Sequence, residues 1–249
     1  MTGKVRYLFS GDCALIMEFG NEINPQINSR IRQVADLLEQ APIAGILGWI
    51  PTYRSILIKY NPFVISNHQL IDQLSGLEDI KDIKALSTPF VMEIPVVYGG
   101  AFGPDLAYVA DHNNLSETEV IQIHSERNYL IYMMGFTPGF PYLGGMSERI
   151  ATPRLISPRE KITGGSVGIA GSQTGIYPID SPGGWQLIGK TPIKLFEPEK
   201  EEPFLLKAGD YLRFVPVTEE EYSQIELQIS LNQYAVKRFP LEVGEYHED

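Results

Sequence analysis

Four segments of this 249-residue chain carry side chains whose types and spacing suit chemistry on a small anion. The first is Tyr132-Met133-Met134-Gly135-Phe136-Thr137-Pro138-Gly139-Phe140-Pro141-Tyr142-Leu143-Gly144-Gly145-Met146. Aromatic residues alternate there with Gly and Pro, a mixture that disfavours helix and strand and predicts a rigid loop. Such a loop either plugs one end of a barrel or walls a ligand pocket, with Phe136 the candidate wall residue. The second is Thr152-Pro153-Arg154 with Ser157-Pro158-Arg159-Glu160-Lys161. Residues 149–161 hold four basic groups and one acid, a local +3 inside a chain of net charge −11, which marks the stretch as anion-seeking. The X-Pro-Arg pattern sets each guanidinium on a stiff, extended backbone. The planar fork suits a carboxylate or a phosphate. Arg159, followed closely by Lys161, is the stronger candidate; surface ion pairing is the alternative for either arginine.

The third segment, 164–178, alternates Gly with small and apolar residues and ends in Gln173, Thr174 and Tyr177. Glycines at alternate strand positions leave room on one sheet face for a bound molecule or another strand. Neither Ser166 nor Ser172 has the spacing of a nucleophile elbow, so a serine hydrolase is not indicated. The fourth, Gly184-Trp185-Gln186-Leu187-Ile188-Gly189-Lys190-Thr191, matches the P-loop expression in letters only. A P-loop needs a helix starting at its Lys-Thr, but Pro192 pushes Thr191 towards extended geometry. Ile193–Phe196 then alternates as a strand, and Trp185–Ile188 reads as another. Lys190 stays a candidate anion contact and Trp185 a candidate pocket wall. Of the four histidines, His124 lies at the polar edge of a helix stripe. It is either a core-edge residue satisfied by backbone or an acid–base group titrating near neutrality. No His or Cys pair has metal-ligand spacing, so no zinc site is expected.

The elements that must position these residues fall into two regions. Residues 1–87 hold 6 of the 23 glycines, whereas residues 135–191 hold 12, so long periodic segments give way to short strands and turns. Val5–Phe9 and Cys13–Phe19 read as strands around a Ser-Gly-Asp turn. Asn24-Pro25 starts a helix with Ile27, Ile31, Val34, Leu37 and Leu38 on one face. Ile46–Ile50 and Ser55–Tyr60 form another strand pair, and Ser66 caps a second helix. Two helices on one face of a small sheet predict a ferredoxin-like α/β domain over 1–87. Beyond Ser87-Thr88-Pro89, Phe90–Tyr98 reads as a strand, Leu106–Asn113 as a short helix, and Ser116 with Glu119 as a capping box. The short apolar runs that follow predict a closed β-structure. The class expected is therefore α+β, mostly β.

A strongly acidic balance argues against nucleic acid as partner. The last 32 residues carry eight acids and two bases and read as a solvated helix with a frayed end. No run of 18 apolar residues is present, so no membrane span is expected. The single Cys13 and the lack of a signal-peptide pattern point to the cytoplasm.

Glu93-Ile94-Pro95-Val96-Val97-Tyr98-Gly99-Gly100 with Gly103-Pro104-Asp105-Leu106, the aromatic loop 135–145, the glycine-rich segment 165–178 and Ser181-Pro182-Gly183-Gly184-Trp185-Gln186-Leu187-Ile188-Gly189-Lys190-Thr191 together resemble the KipI/PxpB family. That unit is also found as subdomain C of the carboxyltransferase part of urea carboxylase and as allophanate hydrolase subunit 1. The resemblance implies a cyclophilin-like β-barrel domain over 88–225, after the small first domain, with 226–249 left as an acidic C-terminal extension. It implies the small B-type component of an ATP-dependent 5-oxoprolinase that opens the lactam of 5-oxoproline to glutamate. The partners implied are a larger PxpC (KipA-type) subunit and a PxpA-type protein. Inhibition of a sensor histidine kinase by protein binding is the rival reading, and a urea- or allophanate-type amide the further one.

On the oxoprolinase chemistry, Arg159 and Lys190 are the candidate cations around phosphate and carboxylate, supported by Arg154 and Thr191. Gln173 and Tyr177 are candidates to hydrogen-bond the ring amide, His124 to move a proton, and Phe136 and Trp185 to form walls. ATP is expected to be shared with the partner subunit and Mg2+ to come with it, since the sequence shows no composite metal site of its own.

Overall fold

The computed structural model of the chain describes residues 4–77 and 88–241. Two units separate at Ser87/Thr88 and are taken in turn.

In the first, strands β1 (Arg6–Phe9) and β2 (Ala14–Glu18) lead into helix α1 (Pro25–Gln40), followed by β3 (Ile46–Pro51), β4 (Ser55–Tyr60) and α2 (Asn67–Ser75). Asn24 caps α1 by accepting from the Gln26 amide, with Pro25 at the first helical position. Ser66 and Gln69 close a reciprocal capping box on α2. The four strands form an antiparallel sheet in the order β1-β2-β4-β3. Leu15, Met17, Ile56, Ile58 and Tyr60 alternate onto its buried face and pack with Ile27, Ile31, Val34 and Leu38 of α1 and with Leu70 and Leu74 of α2. Both helices therefore cover the same face. The element order is ββαββα, not the βαββαβ of a ferredoxin-like unit; it is that order read cyclically from its third element.

The second unit contains β5 (Phe90–Tyr98), α3 (Leu106–His112), α4 (Glu117–Ser125), β6 (Asn128–Met134), β7 (Pro141–Gly144), β8 (Arg159–Ile162), β9 (Ser166–Ala170), β10 (Gln173–Ile176), β11 (Ser181–Gly183), β12 (Gln186–Lys190), β13 (Tyr211–Pro216), α5 (Glu219–Ser230) and β14 (Arg238–Pro240). Its main sheet runs β10-β9-β12-β5-β13-β6-β7. The end strands β10 and β7 approach one another, so the sheet is a nearly closed barrel. β5 and β13 are parallel, while the other pairs are antiparallel. β8 and β11 form a separate two-stranded ribbon. Val96, Ile131, Val167, Ile169, Ile188 and Phe214 point into one interior core that α3 and α4 help to seal with Leu106, Val109, Val120 and Ile123.

Two expectations are corrected here. Ile193–Phe196 joins no ladder, because the Thr191 hydroxyl accepts from the Ile193 amide and only Phe196 makes an isolated bridge, to Phe204. The acidic extension does not begin at 226. α5 runs across that position, its run Glu219–Glu221 occupies the first turn where the helix dipole favours negative charge, and Ile225 and Ile229 pack on the core. β14 then pairs with the first half of β5, so the segment is stitched into the second unit.

Gly103 shows how tightly the α3 entry is packed. A methyl group there would overlap the Ile188 carbonyl on β12, which is backbone and cannot turn aside. Gly103→Ala is expected to lower stability by roughly 2–4 kcal/mol, read as a drop in the denaturant midpoint with an unchanged m-value. A variant as stable as the parent would show that the α3–β12 approach is looser than this.

Candidate active site

Strand alternation decides which residues of the glycine-rich segment meet. On β10, Thr174 and Ile176 face the interior, so Gln173 and Gly175 face outward. Gly168 of β9 lies directly opposite Gly175. Trp185, entering β12, lies over this glycine pair: a Cβ on Gly175 would sit 3.2 Å from Trp185 Cζ3 and 3.3 Å from Phe140 Cζ, and one on Gly168 would sit 3.2 Å from Trp185 Cβ. The two glycines therefore make a floor that no larger residue could form without displacing the rings. Tyr177 and Phe140 close the sides, with centroids 6.1 and 5.8 Å from the indole at near-perpendicular angles, an arrangement suited to the ring quadrupoles. Ile162 and Leu187 complete this outer cluster.

Two guanidiniums flank it. Burial pushes the Tyr177 hydroxyl up and outweighs the downward pull of the Trp185 backbone N–H, Arg154 and Arg159, so it stays a neutral donor. Arg159 is already committed: Nη2 donates to both carboxylate oxygens of Asp105 at 2.8 and 2.9 Å, and Nη1 donates to the Trp185 carbonyl at 3.2 Å. Arg154 is exposed and has no ion-pair partner among the described residues. Of the two arginines, the weaker sequence candidate is thus the one free to take an incoming carboxylate.

The remaining candidates separate from this cluster. Lys161, paired with Asp180 at 2.8 Å, and the Gly164 amide draw the Asp180 carboxyl below its ordinary value, and Lys190 adds the smallest share. Lys190 ends a strand and starts no helix, contrary to what a P-loop needs. Thr191 is buried and structural. Phe136 lies on the aromatic loop, 69% exposed, with its ring edge-on to Phe140. Its φ of +62° is a left-handed conformation that bulky side chains avoid. Gln173 shares the outward face of β10 with Gly175.

His124 does not serve as an acid–base group. It is fully buried, stacked 4.3 Å from Phe214, with Nδ1 2.8 Å from the Tyr98 hydroxyl and Nε2 2.8 Å from the Thr174 hydroxyl. Thr174 donates its own hydrogen to the Gly168 carbonyl, so Nε2–H donates to Thr174 and Nδ1 accepts from Tyr98. Burial lowers the imidazole pKa to about 3. His124 thus props up the glycine floor from the interior side.

Sequence reasoning missed Asp105 and Phe140 as site residues. Asp105 sits just before α3 and looks like a helix cap, yet its side chain makes no cap bond and goes to Arg159 and the Leu187 amide instead. Among the described residues no group of three His, Cys, Asp or Glu side chains is placed to hold a metal ion. No helix among the described residues is long and apolar enough to cross a membrane.

Residues 5–206 match the family described as carboxyltransferase domain, subdomain C and D. The B component of the 5-oxoprolinase of Bacillus subtilis is 47% identical over 230 residues, 88% of this chain and 96% of that protein. Its counterpart in the 5-oxoprolinase of Escherichia coli O157:H7 is 42% identical over 217 residues, 87% and 98%. The crystal structure of TTHA0988 superposes with a TM-score of 0.74 at 36% identity, covering 86% of this chain and 40% of that one, where the fold is part of a longer chain.

Proposed function

The chain belongs to the carboxyltransferase subdomain C and D family, and from that membership we propose that it is the B-type component of an ATP-dependent 5-oxoprolinase that hydrolyses 5-oxoproline to L-glutamate in the cytoplasm. The observation that carries this reading is the near full-length likeness to two proteins of that description. The fold reading that accompanies it is a first domain that permutes the ferredoxin-like element order cyclically and a cyclophilin-like barrel.

5-Oxoproline offers a flat five-membered lactam and one carboxylate. The Trp185, Tyr177 and Phe140 rings suit the apolar edge of that lactam and keep water from its amide. The exposed Arg154 guanidinium takes the carboxylate. The Tyr177 hydroxyl, held neutral by burial and anchored through its oxygen to the Trp185 amide, donates to the lactam carbonyl. ATP supplies the activation that a stable amide needs, as a phosphoryl group for the amide oxygen. With His124 buried and its nitrogens engaged, the proton-moving group and the phosphate cations come from the larger PxpC-type subunit, and the PxpA-type protein completes the assembly.

The test is reconstitution. The chain purified with its PxpC- and PxpA-type partners is assayed for 5-oxoproline-dependent ATP hydrolysis and glutamate release. An inert mixture, together with a chain that alone blocks autophosphorylation of a histidine kinase, would replace this reading by a binding one. Within an active complex, Arg154→Ala is expected to raise KM for 5-oxoproline by about 10- to 100-fold, the worth of one hydrogen bond to a charged group, with kcat little changed. 2-Pyrrolidone, which lacks the carboxylate, should be handled equally by parent and variant; a variant that prefers 5-oxoproline to 2-pyrrolidone as strongly as the parent does would move carboxylate recognition elsewhere.

A further inference from the structure

We infer that Asp105 is a positioning residue which, through Arg159, fixes the indole of Trp185 against the substrate. The inference rests on the reading of Trp185 as a wall of the oxoproline site and deepens it. The Trp185–Leu187 backbone is held at three points by Asp105 and its cation: one bond to the carboxylate, one from the paired guanidinium and one from the Asp105 backbone amide. Arg159 donates to the Trp185 carbonyl, the Leu187 amide donates to Asp105 Oδ2 at 2.6 Å, and the Asp105 amide donates to the Leu187 carbonyl at 2.9 Å.

The pair is well shielded, with side-chain exposures of 14% for Asp105 and 29% for Arg159. It is therefore stiffer than a surface ion pair, whose partners wander. Removing the carboxylate charge leaves a half-buried guanidinium without a counter-ion and weakens the acceptor for a backbone N–H. The guanidinium then turns to solvent and releases the Trp185 carbonyl. The bond from the Trp185 amide to the Tyr177 hydroxyl and the indole's own contacts with Phe140, Tyr177 and the Gly168–Gly175 floor are then left to hold it. Neither Asp105 nor Arg159 needs to touch substrate for this coupling, which explains why a guanidinium with its fork already filled stands beside the site.

Trp49 and Trp185 are the two tryptophans of the chain, so a Trp49→Phe background leaves Trp185 emission as a direct report. In that background Asp105→Asn is expected to shift the emission to longer wavelength and increase its quenching by acrylamide. In the complex reconstituted with the larger subunits, the same substitution is expected to raise KM for 5-oxoproline about tenfold with kcat little changed. Asp105→Glu, which restores the carboxylate, should recover part of both effects. Arg159→Lys should reproduce them, because a single ammonium cannot bridge Asp105 and the Trp185 carbonyl; it also carries the test if Asp105→Asn does not fold. Unchanged emission in a folded variant overturns the inference. So does shifted emission with an unchanged KM. A parent complex inert towards 5-oxoproline sinks the functional reading instead, and the emission result then decides the coupling of Asp105 to Trp185 by itself.

Discussion

Trp185→Ala is expected to lower kcat/KM of the reconstituted complex for 5-oxoproline by about a hundredfold, close to 2.7 kcal/mol of lost transition-state stabilisation. The indole is the largest ring of the cluster. It lies on the glycine pair Gly168 and Gly175 and makes near-perpendicular ring contacts with Phe140 and Tyr177. Truncation opens the lactam's wall to water, which weakens every polar contact beside it. It also removes the indole on which the Tyr177 ring leans. Trp185→Phe keeps an aromatic face and should stay within about tenfold of the parent. Melting temperatures of the isolated chain separate a lost wall from a lost fold. An alanine variant that retains most of the parent's kcat/KM would remove the aromatic cluster from the proposal.

The second large effect concerns acid. The His124 imidazole is neutral in the fold, with a pKa of about 3 against 6.5 in the unfolded chain. Between those values the unfolded state binds a proton that the folded state refuses. Stability is therefore complete above pH 6.5 and falls as pH drops below it, by about 1.4 kcal/mol per pH unit until the folded pKa is reached. The cause is geometric. Nδ1 faces the Tyr98 hydroxyl, and Nε2–H is spent on Thr174. Burial holds Tyr98 well above its ordinary pKa, so it stays a donor. A second ring proton would meet a donor in a dry interior. Denaturant titrations between about pH 7 and pH 5, above the range where carboxylates dominate, should show this slope in the parent. His124→Gln, less stable overall, should show a nearly flat line there. Equal slopes in parent and variant would place the acid sensitivity in other groups.

Much of the scaffold was legible locally. Asn24-Pro25, Ser66 with Gln69, and Ser116 with Glu119 each announce a helix start because a cap is a contact between residues two or three apart. Phe90–Tyr98 and Ser55–Tyr60 have the strand bounds that their apolar runs suggest. Ile193–Phe196 has the same alternation yet forms no ladder, since pairing depends on a neighbour that periodicity does not name. The tail was legible in part. Its acidity suggested a solvated helix, and α5 is largely exposed with Glu219–Glu221 in its first turn, whereas the pairing of Phe239 with Val91 across nearly 150 residues has no local signal.

The amino-acid sequence by itself determined the family, the aromatic and glycine-rich segments, and the presence of two arginines on stiff X-Pro-Arg backbones, because these are properties of short strings. Only the tertiary structure decided which groups are free to act. It spends Arg159 on Asp105, 54 residues away, and leaves Arg154 open. It seals His124 in the core, stations Lys190 at another turn, and brings Trp185, Tyr177 and Phe140 together over two facing glycines. Charge pairing, burial and strand register are set by neighbours distant in the chain, and no local spacing encodes them.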